Sequence, residues 1–389
     1  MELWGSTLES VAMMLALPHP MDAAFLAETF RNRRVLVTGH TGFKGTWLCE
    51  WLLELGAEVT GFSLPPPTDP ALFDQLHTGA RLHRHSIGDV RDLGSLQACV
   101  NDADPEFVFH LAAQPLVRLS YQQPVETYST NVMGTVHLLE SLRLRNRPCA
   151  VVVVTTDKCY ENREWLHAYR EEDPMGGHDP YSSSKGAAEL VVAAYRRSFF
   201  YDDARVMVAS ARAGNVIGGG DWALDRIVPD CIRALRRGVS IPVRNKVATR
   251  PWQHVLEPLS GYLTLAAALS GASSMPFPPS AYADAFNFGP ALSSNQSVAA
   301  LVQGILRHWP GSWQDQSEPG TPHEAVKLNL ATDKAFHLLG WQPRWNFEQT
   351  IEHTVSWYKD AMRCDDPNAF RSLTSAQIKS YCPNPNGIS

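Results

Sequence analysis

Residues 33–48 read Arg33-Arg34-Val35-Leu36-Val37-Thr38-Gly39-His40-Thr41-Gly42-Phe43-Lys44-Gly45-Thr46-Trp47-Leu48. The run from Arg33 to Thr38 is short and β-branched, as in a buried parallel strand. It leads directly into Gly39-x-x-Gly42-x-x-Gly45. A helix is expected over Lys44 to Leu55, with Leu48, Leu52 and Leu55 on one face and Gly56 as its stop. Strand, glycine turn and helix in that order make a phosphate cradle. Glycine lets the backbone turn tightly and approach a pyrophosphate, and the helix N-terminus stabilises the anion. His40, Thr41, Phe43 and Lys44 complete the turn and join the three glycines as candidate cofactor contacts.

Working outward, further strands are expected at Glu58 to Leu64, Glu106 to Leu111, Ala150 to Thr155 and Arg205 to Ala211, with helix-like stretches between them. Strands alternating with helices predict an α/β fold with a doubly wound parallel sheet of the Rossmann type. The pattern changes after Asn215, where Gly218-Gly219-Gly220 and several prolines interrupt it. The expected organisation is an N-terminal extension over 1–29 and a dinucleotide-binding domain over 30–215. A smaller mixed α/β substrate domain covers 216–365, with segments near 250–290 returning to the first domain. The last convincing helix begins after Asn346, and 366–389 reads as a tail.

The chain has 389 residues, 44% hydrophobic and 19% charged, as expected of a globular enzyme and not of a disordered chain. Its formal net charge of −6, without a basic block, argues against general nucleic-acid binding. No apolar run approaches the ~18 residues that span a bilayer. Residues 1–20 show no clear periodicity, and no Lys or Arg precedes Arg31, so a secretory signal is not expected. Seven scattered cysteines without a C-x-x-C read as reduced cytoplasmic thiols. No His/Cys/Asp grouping has metal-ligand spacing, so no metal is expected.

The second informative stretch is Tyr181-x-x-x-Lys185 (YSSSK). An i, i+4 spacing places both side chains on one helix face. A nearby ammonium lowers a phenol's pKa, which equips Tyr181 to accept a proton. Thr155-Thr156 at a preceding strand end places a hydroxyl where α/β folds bind their ligands. Asp157 and Lys158 follow at once. Charges at such a strand end are candidate acids and bases.

The glycine spacing resembles the T-G-x-x-G-x-x-G fingerprint of the extended short-chain dehydrogenases/reductases. Under that resemblance Asp89-Val90 would meet the adenine ring, and Leu111-Ala112-Ala113-Gln114 would let the cofactor pass. Asn131 would support the catalytic lysine through water. The usual acid for a ribose 2′-hydroxyl is missing: the second strand ends Gly61-Phe62-Ser63-Leu64, and no Arg stands there either. Local sequence leaves NAD and NADP open.

Within that superfamily, sugar-nucleotide 4,6-dehydratases carry Asp-Glu where this chain has Asp157-Lys158. Keeping the Asp and replacing the Glu by Lys resembles the branch that acts on CDP-glucose. Residues 39–48 (GHTGFKGTWL), 156–165 (TDKCYENREW), 173–186 (DPMGGHDPYSSSKG), 212–226 (RAGNVIGGGDWALDR) and 248–259 (ATRPWQHVLEPL) carry the likeness, which covers roughly 30–360. It implies NAD as cofactor and a lyase reaction for deoxysugar supply to surface polysaccharide. C4 would be oxidised, water eliminated across C5–C6 and hydride returned to C6. Tyr181, Thr156 and Lys185 would act at the 4-hydroxyl, and Asp157 would protonate the departing 6-hydroxyl. Lys158 would be either the C5 base or a cation stabilising the enolate. Arg226 and Arg250 are candidates for diphosphate, Asn215, Trp252 and His254 for sugar or diphosphate, and Arg118 and Ser120 for the hexose. The family implies a homodimer or homotetramer. A 4-epimerase, a dehydratase of another nucleotide sugar and a non-catalytic NAD(P) sensor are the rival readings.

Overall fold

A computed structural model describes residues 22–201, 205–317 and 328–383. Seven strands form one sheet: β1 (Arg34–Thr38), β2 (Glu58–Ser63), β3 (Arg84–Ile87), β4 (Phe107–His110), β5 (Cys149–Val154), β6 (Val206–Ala213) and β7 (Ala285–Phe288). Their order is 3-2-1-4-5-6-7, and every neighbouring pair is parallel. This is the doubly wound sheet expected.

Alternation along the central strands explains the two helical layers. Val35, Val37, Phe107, Phe109, Val152 and Val154 join one core. That core also takes Leu26 and Phe30 of helix Ala23–Phe30, Trp47 and Leu48 of helix Phe43–Glu54, and much of helix Leu256–Leu269. Leu36, Val108, Val151 and Val153 point the other way, onto Leu96, Leu138, Leu142 and Val192. Those four stand on helices Leu93–Ala103, Gly134–Arg145 and Pro180–Ser198. Helix Leu256–Leu269 is buried along its whole length, as its apolar sequence requires.

The strand order reverses between β1 and β4, which opens a crevice above their carboxyl ends. Thr38 is level with both Phe62 and His110 in the ladder, so the loops after β1, β2 and β4 leave at one height. A set of short strands follows β6 among the described residues. It contains three two-stranded pairings: Val216–Ile217 with Gln253–His254, Thr249–Pro251 with Asn295–Ser297, and Ile241–Val243 with Trp313–Asp315. Between them the chain returns to the sheet through helix Leu256–Leu269 and β7.

Two expectations need correction. Ordered structure begins before Phe30, with helix Ala23–Phe30 capped by Asp22. Residues 366–389 are not a simple tail: Pro367–Tyr381 is a helix with Ile378 and Tyr381 buried. It is held because Tyr381 donates to the buried Glu257 carboxylate at 2.6 Å and packs edge-on against Trp51. The reading of residues 1–20 lies outside the described residues.

Candidate active site

The glycine turn divides its labour. Gly39 has φ +75°, and a Cβ there would lie 2.6 Å from the Ala112 nitrogen. A Cβ on Gly45 would lie 2.1 Å from the Gly39 carbonyl oxygen. The turn's own packing therefore demands both glycines. At Gly42 the nearest atom would be 3.5 Å away, so this face of the backbone stays open. No side chain caps helix Phe43–Glu54 at Gly42, which leaves its first turn to an anion. An open glycine face at an uncapped N-terminus, over the switch point of the sheet, fits the pyrophosphate of a dinucleotide.

The other cofactor candidates surround this cradle. The His40 ring turns away from it, with Nε2 2.7 Å from His85 Nδ1, and burial and that neighbour push its pKa down to about 3. Thr41 donates to the Leu64 carbonyl at 2.9 Å and lies 2.9 Å from the Ser63 hydroxyl. Asp89 follows β3 and holds Arg91 in a two-pronged pair at 2.9 and 2.6 Å, which keeps its carboxyl below the usual range. Val90 packs where a Cβ on Gly134 would stand. Leu111 to Gln114 leave β4 beside Gly39. Asn131, in a π-helical turn over Ser129–Met133, accepts from the Gln114 nitrogen at 2.8 Å and donates to Ser184 at 2.8 Å. It thus ties the β4 loop to the Tyr181 helix.

The candidate acid–base groups meet at the ends of β5 and helix Pro180–Ser198. Asp179 caps that helix by accepting from the Ser182 nitrogen at 2.9 Å, and Pro180 occupies its first turn. This sets Tyr181 at the mouth of the helix and Lys185 one turn below. Lys185 donates to the Val154 carbonyl at 3.2 Å. Burial pulls Lys185 down to about 8, with Glu189 working against it. Burial pushes the Tyr181 phenol up to about 12; a hydrogen bond with Thr156 and the Arg226 charge pull the other way. The chief cation acting on the phenol is Arg226, where the sequence pointed to Lys185.

Thr156 caps the short turn Asp157–Cys159 and donates to Asp157 at 3.0 Å. Asp157 is buried, and burial raises its pKa against Lys158, the Thr156 bond, Arg250 and Lys44. A Cβ on Gly214 would come within 2.8 Å of Asp157 Oδ2, so this glycine makes room for the carboxylate. Lys44 leaves the cradle helix and turns into the same group, 3.5 Å from the Tyr262 hydroxyl. Burial, Arg226 and Lys185 push it down to about 7.

The substrate candidates separate. Arg226 pairs with buried Asp221 at 2.9 Å and faces Tyr181 and Lys44. Arg250 acts on Asp157. Arg118 lies 3.6 Å from Asp225. Asn215 follows Gly214 and accepts from the Gln253 nitrogen through its carbonyl. Ser120 is buried and donates to the Val117 carbonyl at 2.7 Å, within its own helix. Trp252 is buried and donates to the Gln296 carbonyl at 2.9 Å. His254 is a correction. It is fully buried among Trp47, Trp345 and His353, and burial holds its imidazole neutral, so it serves the core.

Tyr262 and Glu189 went unread in the sequence, and Arg212, Gly214 and Asp221 were quoted only within the 212–226 likeness, with no role of their own. Only Glu189 carries a local signal, one helical turn beyond Lys185. Among the described residues, no group of three or more His, Cys, Asp or Glu side chains is placed to hold a metal ion, and no helix is long and apolar enough to cross a membrane.

Residues 36–268 match the family model described as GDP-mannose 4,6 dehydratase. The chain is 49% identical over 345 residues to CDP-glucose 4,6-dehydratase of Salmonella typhimurium, covering 87% of this chain and 93% of that one. Among solved structures, an epimerase of Methanothermobacter thermautotrophicus superposes with TM-score 0.71 at 20% identity, over 87% of this chain and 95% of its own. The dTDP-glucose 4,6-dehydratase of Bacillus anthracis, in complex with NAD, does so with TM-score 0.68 at 20% identity, over 85% and 97%. These two likenesses speak for the fold. The family match and the Salmonella relative, together with a glycine cradle facing Thr156, Asp157, Tyr181 and Lys185, mean that the chain belongs to the nucleotide-sugar 4,6-dehydratase family, on its CDP-glucose 4,6-dehydratase branch.

Proposed function

We propose that this protein is an NAD-dependent hydro-lyase that converts CDP-glucose into CDP-4-keto-6-deoxyglucose in the cytoplasm. The observation that carries the reading is Asp157. It is a buried carboxyl that burial equips to hold a proton, hydrogen-bonded to the Thr156 hydroxyl that also meets Tyr181. A 4-epimerase needs no acid for a leaving hydroxyl, and a sensor needs none of the three. The family likeness to a named CDP-glucose enzyme supports the choice of nucleotide.

The open glycine turn, Asp89 and the Leu111–Gln114 loop would hold NAD, which when bound accepts a hydride from the sugar and returns it. Tyr181 and Thr156 share a hydrogen bond and receive the proton of the sugar 4-hydroxyl. Arg226 supplies the positive charge that favours the phenolate, and Lys185 stands one helical turn below the phenol. Oxidation at C4 acidifies C5. Lys158, as the neutral amine, then removes the C5 proton, and Asp157 donates a proton to the 6-hydroxyl as the C6–O bond breaks and water leaves; hydride return to C6 leaves an enolate that takes a proton at C5 from Lys158. Arg250 and Arg226 are placed for a diphosphate. Each proton removed has a named acceptor, and the reaction has no net redox change.

The test offers CDP-, dTDP-, UDP- and GDP-glucose with NAD in heavy water, with products read by mass spectrometry. Loss of one water from CDP-glucose with one solvent deuteron gained at C5 is expected. Water loss from another sugar nucleotide alone would discard CDP, and an isomer with its 6-hydroxyl intact would restore an epimerase. In the same assay Lys158→Ala is expected to gain no deuterium at C5; normal exchange would remove Lys158 as the base.

We also infer a homodimer. Val125 and Leu190 are 77% and 62% exposed on the adjoining helices Pro124–Tyr128 and Pro180–Ser198, apolar side chains that a partner would cover. Tyr128 of the first helix donates to Ser183 of the second at 3.0 Å, which holds the two helices side by side. Light scattering should give twice the chain mass, and Leu190→Asp should halve it; a monomeric wild type would end the inference.

A further inference from the structure

A buried ion pair lies directly behind the reacting groups. Glu189 and Arg212 have side chains 4% and 5% exposed and meet at 2.8 Å. Glu189 stands on the Tyr181 helix, one turn past Lys185. Arg212 stands on β6. Each reaches the segment between β5 and the crevice, at opposite ends. Thr155 donates its hydroxyl to Glu189 Oε1. Ser210 donates to Oε2 at 2.7 Å, so the carboxylate has three donors. Arg212 Nη1 donates to the Tyr160 hydroxyl at 2.7 Å and to the Glu171 carbonyl at 2.9 Å, with its guanidinium over the Tyr160 ring. Tyr160 passes the constraint on by donating to Asn287 on β7 at 2.8 Å. Asn287 in turn donates to the Tyr169 and Ala331 carbonyls at 3.0 and 3.1 Å.

We propose that the Glu189–Arg212 pair is a positioning unit for the reaction. It clamps residues 155–160 at both ends and so fixes Thr156, Asp157 and Lys158 against Tyr181 and Lys185. The proposal rests on the dehydratase reading above. Its physical basis is that a buried pair with its remaining lone pairs satisfied is rigid, and that rigidity is what an acid–base site needs from its support. Four residues separate Thr155 from Tyr160, too short a loop to shift if both ends are held. The pair also acts on charge. Around Glu189 stand Arg212 from β6, Lys185 and Arg196 from its own helix, and Cys159 from the clamped segment. Glu189 is the foremost group favouring protonated Lys185 against burial.

Two variants cut one clamp each and leave the ion pair whole: Thr155→Val and Tyr160→Phe. Each is expected to lower kcat roughly 10- to 100-fold, the effect of misplacing reacting groups by about 1 Å, with KM for the nucleotide sugar little changed and the melting temperature lowered by a few degrees for the buried partner left unpaired. Glu189→Gln removes the charge. Protonated Lys185 then loses its support, so the alkaline limb of kcat against pH, set by a group near 8, should move down by about one unit. Wild type run in parallel separates the two claims: a wild type that dehydrates no nucleotide sugar defeats the functional reading. An active wild type beside Thr155→Val and Tyr160→Phe of normal kcat defeats the clamp. An unmoved alkaline limb in a folded Glu189→Gln defeats the charge role.

Discussion

Asp157→Asn is expected to oxidise its sugar nucleotide and then stop. Oxidation at C4 uses Tyr181, Thr156 and Lys185, all still present. The next step expels the 6-hydroxyl, a poor leaving group unless a proton reaches it as the C6–O bond breaks. Asn has the shape of Asp but no proton of the required acidity. A positioned general acid contributes about 10²- to 10⁴-fold, and the loss in kcat should fall in that range. The signature is kinetic order: a 4-keto sugar with its 6-oxygen retained should accumulate beside reduced cofactor, seen by quench mass spectrometry and absorbance. Thermal melting guards against a trivial loss of fold. Burial raises the Asp157 pKa in the folded protein. A raised carboxyl adds stability below its unfolded pKa and loses it as pH rises through the folded value, so at neutral pH Asp157 costs stability. Asn at this place should therefore melt no lower than wild type at neutral pH. Undiminished water loss in a folded Asp157→Asn would move the acid elsewhere, with Lys158 the nearest alternative.

The two predictions lean on parts of the site that differ in how far sequence alone reveals them. Gly39, Gly42 and Gly45 were legible because a strand, a turn and a helix are local, and the demands on the glycines come from within the turn. Tyr181 and Lys185 were legible because one helical turn fixes their shared face. Asp157 and Lys158 were legible only by kinship, since two charges after a strand have no meaning until something faces them. The two sheet edges were missed for opposite reasons. β3 reads Arg84-His85-Ser86-Ile87, polar because it is exposed, and β7 reads Ala285-Phe286-Asn287-Phe288, buried but without a β-branched residue. His254 read both as a substrate contact and as a core histidine, because residue type speaks only for polarity, whereas packing between Trp47 and Trp345 decides it. Arg212 lies inside an apolar run, and its partner Glu189 lies 23 residues before it. No window of sequence joins them. Lys44 shows the same limit: it reads as a cradle residue, while the fold turns its ammonium toward Asp157, Lys185 and Arg226.

Tyr181→Phe should fail one step earlier than Asp157→Asn, and that order is the sharper test of the site. The phenol is the group that must take the 4-hydroxyl proton before anything else happens. Its burial pushes it up to about 12, so the free phenol is a reluctant base at neutral pH. Thr156 and Arg226 pull it down, and Arg226 is itself held by Asp221 at 2.9 Å. Removing one oxygen leaves the ring, the helix cap at Asp179 and the Lys185 bond to Val154 in place. Binding of the nucleotide sugar should stay within a few-fold, while kcat falls by about 10³- to 10⁴-fold, the upper part of the range for a lost general base. No reduced cofactor should form, and C5 should gain no solvent deuterium, because C5 becomes acidic only after C4 is oxidised. Thr156→Val should lie between Tyr181→Phe and wild type, as it removes a hydrogen bond to the phenol and not the phenol itself. The two variants thus bracket the reaction: one stops before C4 is oxidised, the other after. If Tyr181→Phe instead accumulated the 4-keto sugar, Tyr181 would act at C5 or C6, and the assignment of Lys158 and Asp157 to those atoms would fall with it.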